Sequence, residues 1–308
     1  EYSIVDSIIK IDLLSEKAQQ HNYESIAITD SANLFGFLKF YKSVRSKGIK
    51  PIAGAEINHV RDSSSHNEHA NLTLIAKNQL GYKNLIKLIS KSQIVGKTSG
   101  IPVIETEWLA EHSDGLIALS GGFRGHIGKA VLDTNHDLFL KRIKYFQKIF
   151  KEDFILEISR INRPQEDIYN DYILSKAGEL GLPVVASNEV RFIDKEDYEA
   201  HETRVCIQKG EVLSDARRTR SYFEDQYFLS PEEMYEKFKD IPEVLSNAYE
   251  LGKKCNLEIE TGIYVLPDFK TPLNKSAADH LIEISKNNLK EKTKDLSDDD
   301  KVKYADRL

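Results

Sequence analysis

Apolar positions along the first two hundred residues alternate between two spacings. Segment 11–22 (IDLLSEKAQQHN) carries them at helical intervals, whereas 24–30 (ESIAITD) is a short apolar run that ends on a carboxylate. The same pairing follows at once: 34–47 (LFGFLKFYKSVRSK) predicts an amphipathic helix closed by Gly48, and 50–57 (KPIAGAEI) predicts the next strand. Further strands are expected at 71–77, 115–120, 153–159 and 183–188, with helices at 80–94, 136–151 and 164–180. From 194 onward the pattern is helical, at 194–208, 231–240 and 242–256. Short apolar strands separated by helices favour parallel pairing through crossover helices, so the expected fold is α/β, a β/α barrel.

The spacing places one domain over 1–257 and a helical, strongly charged connector over 258–308, with SDDDK at 297–301. Segment 61–69 (RDSSSHNEH) reads as a polar loop. In a barrel the chemistry sits where strands give way to loops. The positions to inspect are therefore Asp30 and Ser31, Glu56, the turn Ser120-Gly121-Gly122, and the run Asn188-Glu189-Val190-Arg191.

Composition narrows the classes. The chain has 308 residues, 40% hydrophobic and 30% charged, the balance of a globular protein, and no apolar run reaches the ~18 residues of a membrane span. Lys and Arg total 43 against 49 Asp and Glu, a net charge of -6, so any nucleic-acid contact has to be local. Cys206 and Cys255 cannot form a disulfide framework and lack CxxC spacing, which fits a reducing cytoplasm. The chain opens on Glu1 without a Met, and the natural polypeptide is expected to start upstream. No Walker-type phosphate loop occurs. Among the histidines, His66 and His69 lie three apart in the polar loop, His112, His126 and His136 are scattered, and His201 is expected to pack or cap a helix. Arg217, Arg218 and Arg220 form a basic stretch open to a DNA or partner role, and Asp298 with Asp300 belongs to a solvated charge run rather than a catalytic pair.

Five stretches, TDSANLFGFLKFYKSVRSKGIKPIAGAE (29–56), NLTLIAKNQLGYKNLIKLIS (71–90), GLIALSGG (115–122), GLPVVASNEVRFI (181–193) and AHETRVCIQKG (200–210), resemble in order the amino-terminal PHP (polymerase and histidinol phosphatase) domain of bacterial replicative DNA polymerase III alpha subunits. The resemblance implies a distorted seven-stranded β/α barrel. In active members it implies a cluster of His, Asp, Glu and Cys ligands holding up to three metals for phosphoester hydrolysis. Asp6 and Glu56 keep ligand carboxylates of that pattern. Ser31 and Asn71 stand where histidines are expected, Gly122 where a thiol is expected, and Glu189 and Arg191 where an Asp-x-His pair is expected; the first His-x-His would precede Glu1.

The donors that remain are poor. A serine hydroxyl is neutral, an amide oxygen is a weak zinc ligand, glycine offers nothing, and guanidinium is a permanent cation. At ~4 Å and an effective dielectric of ~20, Arg191 would repel a divalent ion by roughly 8 kcal/mol, and the same charge suits it to replace a metal. Residues 189 and 191 share one strand face, which predicts that Arg191 meets Asp6 and Glu56 in a charge network. The expected role is a non-catalytic scaffold that needs no cofactor, braces a polymerase whose palm further along would use Mg2+, and docks a separate proofreading exonuclease subunit. The alternative is a metal-dependent phosphoesterase or 3'-5' exonuclease working through Asp6, Glu56 and Glu189.

Overall fold

The computed structural model describes residues 2–3, 5–60, 69–98, 100–215, 217–264, 269–272 and 275–308. His66 and most of the 61–69 loop lie outside the described residues. The chain divides into two compact units, Glu1–Glu258 and Ile259–Leu308.

The first unit opens with α1 (Ile11–Gln20), β1 (Ser25–Ser31), α2 (Phe37–Ser46), β2 (Lys50–Val60) and β3 (Ala70–Ala76). α3 (Gln79–Ile94), β4 (Lys97–Thr98), β5 (Ile101–Glu105), α4 (Thr106–Glu111), β6 (Leu116–Leu119) and α5 (His126–Leu132) follow. Next come α6 (His136–Phe150), β7 (Phe154–Ser159), α7 (Glu166–Leu180), β8 (Val184–Ser187) and α8 (Tyr198–Lys209), then α9 (Pro231–Lys237) and α10 (Glu243–Lys254). Local chemistry sets many of the ends. The side chain of Asn78 caps α3 and that of Asn135 caps α6, while Ser230 and Glu233 form a reciprocal capping box around Pro231 at the start of α9. Gly181 and Gly210, both left-handed, stop α7 and α8.

The strands form one mixed sheet in the order β4-β5-β2-β3-β6-β7-β8, with β1 paired to β2. The all-parallel expectation is corrected here. β1–β2, β6–β7 and β7–β8 are parallel, but β3 runs antiparallel to both β2 and β6. The link from β2 to β3 is too short for a crossover helix and only reverses the chain. Segment 101–105, which carries no strand signal beyond its apolar residues, returns to β2 and pairs parallel to its end. The helices α4 and α5 are likewise additions to the sequence reading. No hydrogen-bonded pairing joins β1 to β8 among the described residues, so the barrel is an open, curled one.

Ile52, Ile75, Ile117, Leu119, Ile155 and Val185, drawn from five strands, converge on Leu251 and Cys255 of α10 and its cap. One end of the sheet's inner face is thereby plugged. Ile259–Leu308 contains α11 (Ala277–Lys292) and α12 (Asp298–Ala305), capped by Ser276 and Ser297. Asp298, Asp299 and Asp300 fill the first turn of α12, where carboxylates favour the positive end of the helix dipole. No helix among the described residues is long and apolar enough to cross a membrane.

Candidate functional site: a carboxylate pocket filled by arginines

Side chains alternate faces along a strand, so every second residue of each strand continues the same inner wall. On β2 that row is Ile52, Gly54, Glu56; on β3, running the other way, it is Ile75, Thr73, Asn71. On β7 it is Ile155, Glu157, Ser159, and on β8 and its extension Val185, Ser187, Glu189. The first member of each row belongs to the apolar plug. The later members line a pocket with Gly121, Gly122 and Arg124, which continues into a cavity of about 490 Å³ reaching Asp6, Asp30, Ser31 and Arg191. The wall thus changes within two to four residues from apolar to acidic on β2, β7 and the β8 extension, and to neutral polar on β3.

The sequence-predicted positions meet here. Ser31 stands opposite Glu56 in the β1–β2 register, and Asn71 donates its amide to Glu56 Oε1. Arg191 Nη1 lies 3.0 Å from Asp6 Oδ2, and its Nη2 lies 3.9 Å from Glu56 Oε2. Tyr222 donates its hydroxyl to the other Asp6 oxygen at 3.0 Å, and His201 lies with Nε2 3.3 Å from the Asp6 carbonyl. His201 is fully buried, packed on Phe192 and Tyr222, and burial holds its imidazole below the usual histidine range. Gly122 lies in the pocket wall at φ +53°, and a Cβ there would stand 4.0 Å from Glu157 Oε2 without a clash. Glu189, at φ +45°, carries the left-handed backbone that usually goes to glycine.

Three groups are additions to the sequence reading. Arg163 donates Nη2 to both oxygens of Glu189, at 3.0 and 2.9 Å, while its guanidinium stacks over Phe123 and Phe223. Arg124 bridges Glu56 at 3.3 Å and Glu189 at 3.2 Å through one Nη2. Glu157, at the floor, makes no ion pair within 4 Å among the described residues. Burial, opposed by a Ser187 hydrogen bond and reinforced by the Glu189 and Glu56 charges, raises its pKa to about 7. Glu189 shows the opposite balance: burial would raise its carboxyl, but Arg124 and Arg163 more than offset this and hold it below the usual range. Asp30, near Asp6, is raised by burial. The signal for Glu157 lay in FILEIS, a carboxylate on the same face as Ile155. No local pattern distinguishes Arg124 or Arg163 from ordinary loop arginines.

A cluster of divalent cations does not fit this donor set. The lone pairs of Asp6, Glu56 and Glu189 that would face metal are engaged by Arg191, Arg124 and Arg163, and the intervening positions are Ser31, Asn71 and Gly122. Among the described residues no group of three His, Cys, Asp or Glu is arranged to hold a metal ion.

The remaining candidates have structural explanations. In the turn after β6, Gly121 sits at φ +75° where a Cβ would fall 2.1 Å from the Asn71 carbonyl oxygen, so close backbone approach requires the glycine. Arg218 is not an exposed contact residue: it pairs with Glu202 of α8 at 2.5 Å, with 5% and 2% of the two side chains accessible. Arg217 is exposed and pairs with Asp215, and Arg220 is exposed. His126 bonds the His59 carbonyl and His136 the Tyr172 hydroxyl, both within the fold.

Residues 1–161 match the PHP domain family. The whole chain is 41% identical over 307 residues to the DNA polymerase III subunit alpha of Vibrio cholerae, and 40% identical over 307 residues to that of Escherichia coli (strain K12). It is 38% identical over 304 residues, 99% of its length, to that of Pseudomonas aeruginosa. In each case it spans 26% of the relative, about a quarter of its length. A solved chain described as a metal-dependent phosphoesterase from Bifidobacterium adolescentis aligns over 60% of this chain and 84% of its own, with a TM-score of 0.43 and 11% identity.

Proposed function

We propose, on the premise that this chain belongs to the PHP domain family, that it is a non-hydrolytic scaffold within a DNA polymerase III alpha subunit. The observation that carries this reading is that three guanidiniums occupy three of the pocket's carboxylates: Arg124, Arg163 and Arg191 against Asp6, Glu56 and Glu189. Each guanidinium satisfies a carboxylate that would otherwise need a cation, and the pairs are shared: Glu189 is held by Arg124 and Arg163, and Glu56 by Arg124 with Arg191 at 3.9 Å. The network ties together Asp6 from the amino-terminal segment, β2, the turns after β6 and β7, and the extension of β8. It turns a site suited to catalysis into a joint between elements.

In this reading the polymerase activity, with its Mg2+, belongs to other parts of the longer protein. The fold offers a rigid surface for that remainder and for a separate proofreading exonuclease subunit in the cytoplasm. Support for the exonuclease partner comes from the family relationship and from the engagement of the pocket's carboxylates by arginines. A replicase without hydrolysis in this domain needs that chemistry elsewhere.

Two measurements test the proposal. The chain is dialysed against Zn2+ or Mn2+, analysed for bound metal, and assayed on bis-p-nitrophenyl phosphate and an end-labelled oligonucleotide. Substoichiometric metal and no turnover are expected; stoichiometric metal with turnover that Glu56→Gln abolishes would replace the scaffold by a metal-dependent phosphoesterase. Co-purification with the exonuclease subunit addresses docking, and failure to retain it at micromolar concentrations would remove that part.

A further inference from the structure

Between Asp30 and Glu56, and again between Glu68 and Glu105, the sequence has no Asp or Glu and places ten Lys or Arg, in a chain whose net charge is -6. The fold sets parts of these two stretches side by side. Phe37 of α2 packs on Tyr82 of α3 with ring centroids 5.4 Å apart, and Gln93 Nε2 donates to the Ala32 carbonyl at 3.0 Å. α3 buries Leu85, Leu88 and Ile89 and turns Leu80, Lys83, Ile86, Lys87 and Ile94 outward at helical spacing. Ile94 is 79% accessible and Leu80 53%, and Val95, just past the helix, is exposed as well. Phe35 and Leu38, on the segment held beside α3, are also exposed. Lys83, Lys87 and Lys97 make no ion pair among the described residues, whereas Lys39 is held by Asp12 and Lys77 by Asp153. Unpaired surface lysines alone are ordinary: α6 has them with no large exposed hydrophobic residue, and α11 has them among Asp279, Glu283 and Glu291. On α3 an aliphatic row and cations share one face of a helix that carries no carboxylate.

From this face we infer that α3 is a docking surface for an acidic amphipathic segment of a partner protein, an inference that does not depend on what fills the arginine pocket. An apolar row flanked by polar groups is the anatomy of a protein interface, and contiguous exposed apolar surface marks a contact rather than a free face. The row from Leu80 to Ile94 is about 20 Å long, the length of a helix of some four turns laid along it. The sign of the rim then selects the occupant. With cations and no acid on the helix, a partner that sets its own apolar residues against Leu80, Ile86 and Ile94 gains from carboxylates at its edges and is repelled by cations there. The same charge argues against a second copy of this chain, since a two-fold pairing would set Lys83 and Lys87 against their own counterparts. Nucleic acid fits less well: single strands stack on aromatic rings and duplexes are held by charge alone, and neither uses an aliphatic row.

The test measures, by fluorescence anisotropy, binding of the 308-residue chain to a labelled 18-residue helical peptide of leucine and glutamate in amphipathic order. The same peptide with glutamine or lysine in place of glutamate is run beside it. Micromolar binding of the glutamate peptide is expected, about tenfold tighter than that of the glutamine form. I86S/I94S, which alters exposed positions only, should weaken it by about tenfold or more. K83E/K87E should weaken it as much and take up the lysine peptide instead, a gain that unfolding cannot produce. K141E/K144E makes the same change of charge on α6 and should keep the wild-type affinity to within about twofold. No binding at about 100 μM, equal affinity for the glutamate and glutamine peptides, equal losses in the two charge variants, or an I86S/I94S affinity equal to wild type would each overturn the inference. So would tighter binding to phosphatidylglycerol vesicles or to a 20-mer DNA duplex than to the peptide, which would assign the face to a membrane or to nucleic acid.

Discussion

The two ends of the inner sheet face solve the same problem with opposite chemistry. At one end Ile52, Ile75, Ile117, Ile155 and Val185 are covered by Leu251 and Cys255, and the closure is non-directional burial of apolar area. At the other end, two to four residues further along the same strands, four carboxylates and three guanidiniums meet in a geometry fixed by individual hydrogen bonds. The apolar end tolerates shape changes at a graded cost, while the charged end holds only as a set. A single deletion there strips a carboxylate or guanidinium of part of its charge partners, whereas removing both members of a pair does not.

The sharpest way to break the comparison is Arg163→Ala, which leaves Glu189 buried with half its partners; a loss of about 3–5 kcal/mol is expected in urea denaturation. The double variant R163M/E189M should recover most of that loss, and a double as unstable as the single would show that packing, not charge pairing, dominates the pocket. Arg218→Ala, acting on the other buried pair, should also lower the midpoint, with Arg218→Lys giving partial rescue. At the apolar end Leu251→Ala is expected to cost about 2–5 kcal/mol without any dependence on pH.

Glu157 separates the ends by pH. Its carboxyl titrates near 4.5 in the unfolded chain and at about 7 in the fold, so the folded state holds the extra proton between those values. Stability is therefore highest below about 4.5 with respect to this group and falls as pH rises through 7, by about 3 kcal/mol at 1.36 kcal/mol per unit. Glu157→Gln should match wild type at pH 4.5 and exceed it by up to that amount at pH 8; parallel stability curves for the two proteins would refute the assignment. The smallest effect belongs to Arg217→Ala, whose exposed partner Asp215 leaves the thermal midpoint unchanged within error.

What could be read from the sequence divides along the same line. The apolar rows announced six of the strands, though not β4 or β5, and most helices, because burial imposes a period that survives in one dimension. The strand-end rule then pointed to Ser31, Glu56, Gly122 and Arg191, and the family resemblance added Asn71. Neither brought Arg124 or Arg163, which lie in turns where no period operates and whose partners are 65 and 26 residues from them at Glu189. Pairing direction was equally hidden: whether β3 runs with or against β2 is decided by the length of a connection, not by the strand itself. Arg218 was placed with its exposed neighbours because adjacency in the chain said nothing of Glu202 beneath it.

Arg191 carries one further consequence. Its main chain takes a hydrogen bond from the Ile8 amide and another from the Ser7 hydroxyl, and gives one to the Gln226 carbonyl, while its side chain holds Asp6. Two stretches distant in the polypeptide are thus riveted to one residue. If that rivet loosens, the leading strip of chain and the 221–228 loop should detach together as a small cooperative unit. Amide exchange would then quicken in both segments at once while the plugged end of the sheet stays protected.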